Sequence, residues 1–292
     1  MTILDHKIDF AVVLSVTHAN PNGDPLNGNR PRQNYDGRGE ISDVCLKRKI
    51  RNRLQDMGAA ILVQSDDRRN DAYQSIKDRV DGNADVKEFA SGKKANSDLF
   101  AGAACETWLD VRSFGQVFAF SSKDKEEKGK GVSVGVRGPV SLHTAFSVDP
   151  IDIVSTQITK SVNTETSNKK GSDTMGMKHR VDFGVYTFFG SINTQLAEKT
   201  GFTNEDAEKI KQALITLFEN DVSSARPDGT MEIIKVVWWE HNSKLGQYSS
   251  AKVHRALKVE KREDVTEPKA ADHYVVSVDM LDGLSCHEYA GL

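Results

Sequence analysis

Five of the seven residues from Lys47 to Arg53 are cations (Lys47, Arg48, Lys49, Arg51, Arg53), and no acid interrupts them. At about 100° per residue, a helix puts Lys47, Arg48 and Arg51 on one flank and Lys49 and Arg53 on the other. Like charges four residues apart each cost a few tenths of a kcal/mol. A polyanion would offset that repulsion; a solvated helix face is the competing reading. The segment just upstream adds weight to the first. ANPNGDPLNGNRPRQNYDGRGEI holds three Asn-Pro or Asn-Gly pairs and the triplet Arg30-Pro31-Arg32. Such turn chemistry imposes defined bends, some at positive φ. The loop reads as a shaped surface that turns amides such as Asn22 and the guanidiniums of Arg30 and Arg32 toward a ligand. Asp24 is the one acid worth testing as catalytic, although a turn-forming or capping role is favoured for it.

A second cationic group runs through residues 155–180: Lys160, Lys169, Lys170, Lys178, His179 and Arg180. Met175 and Met177 lie among them, in a stretch too polar for a core. A flexible thioether can wedge between bases; the alternative is packing against a neighbouring subunit or the parent domain. His179, between two cations, is a poor metal ligand and a poor base. In GVRGPV, Arg137 stands between two glycines, where bare backbone permits close approach to a ligand; a bulged strand is the alternative. No Walker loop, GxSxG, HExxH or EF-hand loop is present. Cys45, Cys105 and Cys286 are far apart and form no CxxC pair, so they read as reduced thiols rather than a zinc site or a disulfide framework. No cofactor and no metal are expected.

These residues need elements to position them. DFAVVLSVTH reads as a strand leading into the loop. SDVCLKRKIRNRLQDM follows as a helix with Ser42 as N-cap and Leu46, Ile50, Leu54 and Met57 as buried stripe. Residues 59–105 read as an inserted, partly mobile lobe, with short helices around Asp71–Val80 and Val86–Phe89. From Thr107 the aromatic and β-branched WLDVRSFGQVFAF predicts a strand, with Gly115 at a bulge or close backbone approach. KDKEEKGKG predicts a hairpin tip, and VSVGVRGPVSLHTAFSV resumes the alternation. STQITKSV and MKHRVDFGVYTFFGSI predict a long hairpin projecting beyond the core, its tip near Asn168–Asp173. A helix is expected over Asn204–Asn220, with Thr203 and Asp206 as a capping box and Ile210, Leu214 and Leu217 as stripe. MEIIKVVWWEH is a further strand, and YVVSVDM reads as strand in the tail. The fold class is therefore α+β. Strand, helix, two or more strands, helix, strand is the βαββαβ order of a ferredoxin-like or RNA-recognition-motif domain.

Totals bound the reading. The chain has 292 residues, 38% hydrophobic and 28% charged, enough for one large domain or two small ones. A net charge of −3 excludes a generic nucleic-acid coat, so charge has to be judged by region. Residues 160–180 hold five Lys/Arg against two Asp/Glu, whereas residues 260–292 hold three against eight. Two such surfaces would attract each other head to tail. No run approaches the ~18 apolar residues of a membrane span, and the N-terminus has no apolar leader pattern, so a cytoplasmic protein is expected.

Taken together, NPNGDPLNGNRPR, SDVCLKRKIRNRL, DVRSFGQVFAF, GVRGPVSLHTAFSVDP, ITKSV…MGMKHRVDFGVYTFFGSIN and LFENDVSSARPDGTMEIIKVVWWEH resemble the Csd-type backbone subunit of type I-C CRISPR Cascade, a RAMP-superfamily family. The likeness spreads over most of residues 8–260. It implies a hand: an RNA-recognition-motif palm (1–58, 106–154 and 181–245), helical fingers (59–105), a β-hairpin thumb (155–180) and a C-terminal extension of the palm (246–292). It also implies several copies lined up along one CRISPR RNA, each thumb kinking the RNA and leaving spacer bases free to pair with target DNA. Partners would be that RNA, target DNA through the RNA, further copies of the chain, and the large, small and RNA-processing end-cap subunits. The implied role is structural rather than enzymatic. LKRKIR corresponds to a basic palm helix whose Lys47, Arg48 and Arg51 contact phosphates. Met175 or Met177 corresponds to the thumb wedge. A metal-dependent RNA-cleaving relative using Asp24 is the rival.

Overall fold

The computed structural model describes residues 2–90, 95–120, 132–159 and 175–292. In chain order β1 is Ile8–Ala19, β2 Gly23–Asp24, β3 Arg30–Pro31, β4 Arg38–Ile41 and α1 Asp43–Asp56. Then come α2 (Ile76–Gly82), α3 (Ala84–Lys87), α4 (Ser97–Thr107) and α5 (Leu109–Phe114). Strands β5 (Gly115–Phe120), β6 (Val132–Arg137), β7 (Val140–Leu142), β8 (Ala145–Pro150), β9 (Ile153–Thr159) and β10 (Met175–Ile192) follow. The remainder is α6 (Thr194–Thr200), α7 (Asn204–Ile215), β11 (Met231–Glu240), α8 (Ser250–His254), β12 (Leu257–Lys261), β13 (Tyr274–Val278) and β14 (Ser285–Ala290).

The molecule is α+β, built on one large antiparallel sheet ordered β14-β11-β1-β10-β8-β4, with β7 and β9 also paired to β10. Among its inner strands the order is β11-β1-β10-β8. Helix α1 lies between β1 and β8 in the chain, and α6 and α7 between β10 and β11. β1 is buried over nearly its whole length because both faces of the sheet are covered. Phe10, Val12, Leu14 and Val16 face one core with Leu46, Ile50 and Leu54 of α1 and Ile210 and Leu214 of α7. Phe10 stacks on Trp238 across the β1–β11 pair, centroids 5.5 Å apart. Ala11 and Val13 face a second core closed by Val253, Leu257 and Tyr274. The tail thus covers the far face as well as adding β14 to the edge. Asp9 ties this arrangement together. Fully buried, it accepts from Lys7 Nζ at 3.0 Å and from His241 Nε2 at 2.9 Å, whose Nδ1 accepts the Gln247 amide. Burial alone would raise its carboxyl, but hydrogen bonds from His241, Ser250 and Lys7 hold it below its ordinary value.

The capping box is present as read: Asp206 N donates to Thr203 Oγ1 and Thr203 N to Asp206. Ser42 caps α1. Met57 does not join the α1 stripe; it is the C-cap and 39% exposed. The insertion after α1 shares a separate core with α5 and β5, where Phe100 meets Phe118 edge-on at 5.0 Å. Helices α2 and α3 fall near their expected places, and α4 is additional. The strand expected from Thr107 starts only at Gly115, since Leu109–Phe114 form α5. Asp110 on α5 accepts the Leu62 and Val63 amides, a long-range tie that favours helix over local β propensity. Gly115 makes the switch at φ +78, and a Cβ there would run into the Val136 carbonyl. The close approach expected at Gly115 is therefore to its own chain. Among the described residues no helix is long and apolar enough to cross a membrane.

Candidate nucleic-acid interface

β10 is 18 residues long, and only its C-terminal part lies within the sheet core. Its first residues pair with β9 in a ribbon, Met175 opposite Thr159 through Val181 opposite Ile153. Exposure grows outward: Met177 is 52% and Met175 61% exposed. Strand alternation puts Met175, Met177 and His179 on one side and Lys178 and Arg180 on the other. Lys160, Lys169 and Lys170 lie outside the described residues.

The loop after β1 folds against the base of this ribbon. Asp24 caps a single 3₁₀ turn at Pro25–Asn27 by accepting from Leu26 N at 3.2 Å, and pairs with Arg32 at 3.5 Å. That is the capping role favoured from sequence. Asn22 Oδ1 accepts both the amide and the hydroxyl of Ser42, at 2.9 and 3.0 Å, so the loop is bolted to the start of α1. Its amide oxygen is therefore turned inward, not toward a ligand. Arg30 Nη1 donates to Ser155 Oγ at 3.1 Å, and that oxygen lies 2.8 Å from His179 Nδ1. Loop and ribbon, more than a hundred residues apart in sequence, meet at this contact. Two guanidinium donors here, Arg32 Nε and Arg180 Nε, are buried without an acceptor. Such groups are rare enough to require a reason.

The helix cations fare differently from the expectation of bare positive charge. Acids from elsewhere reach them. Lys49 is buried, ion-paired with Asp221, and its Nζ lies 5.6 Å from the Phe218 ring centre. Burial lowers its pKa against the pull of Asp221. Arg51 Nε donates to the fully buried Asp110 at 3.0 Å, and its guanidinium covers the Phe114 ring at 5.0 Å. Arg48 Nη1 donates to the Val63 carbonyl at 2.7 Å; burial first, then Arg51, lowers its pKa. Arg53 donates to Thr216 Oγ1. Lys47 pairs with Asp43, one helical turn before it, at 3.1 Å. Arg48 and Arg51 thus each spend a donor inside the chain, and hold the insertion to α1. Lys47 keeps an outward position. Arg137 is exposed, but on β6, paired with Gly115. The glycine beside it, Gly138, backs the Ser113 carbonyl, so that glycine serves chain packing.

Sequence reasoning missed Ser155, a residue type without a signal of its own. It also missed Arg226. That arginine sits in a turn before Pro227-Asp228-Gly229, donates to Asp221 at 3.2 Å, and is placed beside the loop because Asn20 N donates to Ala225 O at 2.9 Å. The RPDG turn signal was the one available hint.

A model of the family described as CRISPR-associated protein Cas7 matches residues 6–279. A curated relative, CRISPR-associated protein Cas7 of Haloferax volcanii, is 28% identical over 234 residues, which cover 77% of this chain and 67% of the relative. Two solved structures resemble the fold at 15% identity. One, a CRISPR RNA-guided surveillance complex in a pre-nicking state, has a TM-score of 0.47 over 80% of this chain and 78% of that one. The other, a CRISPR RNA-guided surveillance complex, scores 0.45 over 80% and 68%. The family match takes in β1, α1, the insertion, the ribbon and β11 alike, and on that extent the chain belongs to the CRISPR-associated protein Cas7 family.

Proposed function

We propose that the chain is a structural CRISPR RNA-binding subunit of a type I-C Cascade, repeated along the guide RNA, with spacer bases left free to pair with target DNA. Further copies of the chain and the large, small and end-cap subunits would be its partners. The β11-β1-β10-β8 order supports an RNA-recognition-motif palm (1–58, 106–154, 181–245). The separately cored insertion is the fingers (59–105), the β9–β10 ribbon belongs to the thumb (155–180), and residues 246–292 extend the palm.

One observation carries this reading beyond family membership: the Arg30–Ser155–His179 contact, which brings loop cations and ribbon cations to one end of the sheet. Arg30, Arg32, Lys178, His179 and Arg180 hold phosphates there, and Lys47 on α1 contacts the same strand. A phosphate would add an acceptor at the outer nitrogens of these guanidiniums, a charge-assisted contact indifferent to base sequence. Met175 or Met177, at the exposed end of the ribbon, wedges the kinked RNA. Asp24 shapes the loop and does no chemistry.

The test is nuclease footprinting of RNA loaded with the protein. Regular protected intervals are expected, and Met175→Ala with Met177→Ala should blur their spacing while RNA stays bound. Unchanged periodicity in the double variant would refute the wedge. RNA shortened on incubation with Mg²⁺ would refute the structural role.

A further inference from the structure

The loop between β1 and α1 carries two apolar side chains that no contact within the chain uses. Tyr35 is 110% and Leu26 96% exposed, the two most exposed large apolar side chains among the described residues. In sequence they stand on either side of Arg30 and Arg32. A single exposed apolar residue is ordinary; both extremes on one cationic loop call for a reason.

Tyr35 does not owe its exposure to a loose chain. Its turn closes the hairpin that residues 31–34 make with β4, where Gln33 pairs with Gly39. Asn34 Oδ1 accepts from Asp36 N at 3.0 Å and from Arg38 N at 2.9 Å. Asn34 N donates to the Arg38 carbonyl at 2.9 Å, and Gly37 N to the Asn34 carbonyl at 3.1 Å. Gln33 Nε2 fastens the turn to the run between β8 and β9, donating to the Gly37 and Ile151 carbonyls at 3.0 and 2.9 Å. Gly37 takes φ +74, where a side chain would be strained. The backbone beneath the ring is therefore ordered before any ligand arrives, which lowers the entropy lost on binding.

The surroundings decide what such a ring can hold. Asn34, Asp36, Gly37 and Arg38 beside it are polar or bare, so Tyr35 brings no apolar patch approaching the ~800 Å² per partner of a stable protein contact. One flat ring standing alone suits a partner that is itself one flat ring, and an unpaired nucleobase stacks in this way whatever its identity. Arg38, exposed on the other arm of the turn, can donate to a phosphate beside that base. Arg32 lies three residues back along the hairpin, about 10 Å at ~3.3 Å per residue, so a strand held there can lay a base on the ring. We infer that Tyr35 is a stacking platform for one base of the bound RNA. This deepens the RNA-binding reading and rests on it: the platform holds a base, whereas the methionine wedge parts two.

Filter titration of the full chain with a single-stranded oligoribonucleotide, and with a strand of the same length made abasic, tests this. Tyr35→Leu keeps an apolar side chain but loses the flat face. It should weaken binding of the intact strand roughly five- to 150-fold, the range for loss of one base stack. The slope of log affinity against log salt should not change, because no charge is removed. Tyr35→Phe should bind within about twofold of the native chain. On the abasic strand the native chain and Tyr35→Leu should bind alike. The circular dichroism spectrum and melting curve should match the native ones, since the ring is fully exposed. Equal affinity of the native chain and Tyr35→Leu for the intact strand overturns the inference, as does a loss that persists on the abasic strand. Unchanged RNA affinity with weaker self-association on gel filtration would assign Tyr35 to a contact with a second copy instead. Absence of RNA binding by the native chain would sink the RNA reading itself.

Discussion

Asp110 is fully buried and accepts three hydrogen bonds, from Arg51 Nε at 3.0 Å, Leu62 N at 2.8 Å and Val63 N at 3.1 Å. It joins α1 to the start of the insertion. Removing Arg51 strands a carboxylate away from water, a loss of about 3 kcal/mol or more. Arg51→Ala should therefore lower the urea midpoint markedly, while RNA affinity per folded molecule stays within about twofold. A normal midpoint with abolished RNA binding would instead return Arg51 to the interface. The cationic spacing on α1 was legible in the sequence; its partners were not. Asp110 is 59 positions from Arg51 and Asp221 is 172 from Lys49, and no local pattern encodes separations of that size. Arg30 and His179 were legible as cations, but their meeting through Ser155 was not, for the same reason.

At the level of elements, local signals carry α1 and α7. Ser42 accepts from Cys45 N, and its own amide and hydroxyl donate to Asn22. Ser42→Ala should cost about 1 kcal/mol through removal of the cap. Because the same change takes the hydroxyl donor from Asn22 Oδ1 and leaves it the backbone amide of residue 42, Asn22→Ala added to it should cost less than the two changes summed; strict additivity in denaturant melts would show the two ties to be independent. α5 was not legible: WLDVRSF has strand composition, and tertiary bonds through Asp110 decide otherwise. The tail was legible as a strand but not as a cover for the sheet. There His254 Nε2 donates to the Gly190 carbonyl at 3.1 Å beneath the stacked Phe189 ring. Burial first lowers its pKa, against the attraction of Asp9. A histidine whose folded value lies below its unfolded value of about 6.5 resists a proton that the unfolded chain accepts. Stability from His254 is thus intact above about pH 6.5 and is lost as pH falls below it, until the folded state also protonates. Urea midpoints should drop between pH 7.5 and 5.5, and His254→Gln should flatten that drop.

Across the whole molecule, a sheet with both faces covered leaves its end, and not its surface, for the proposed RNA contact. That end gathers the β1–α1 loop, the ribbon and the Ser223–Arg226 turn, while net charge stays at −3. A local groove of cations on an acidic protein binds a phosphate chain with strong salt dependence. The most direct measurement is the salt dependence of single-stranded RNA binding by filter titration, for the native chain and for Arg30→Ala with Lys178→Ala and Arg180→Ala. The slope of log affinity against log salt should become shallower by about 0.7 for each phosphate no longer neutralised, roughly 2 in all, with the circular dichroism spectrum unchanged. A slope identical to that of the native chain would place the phosphates elsewhere and contradict the account.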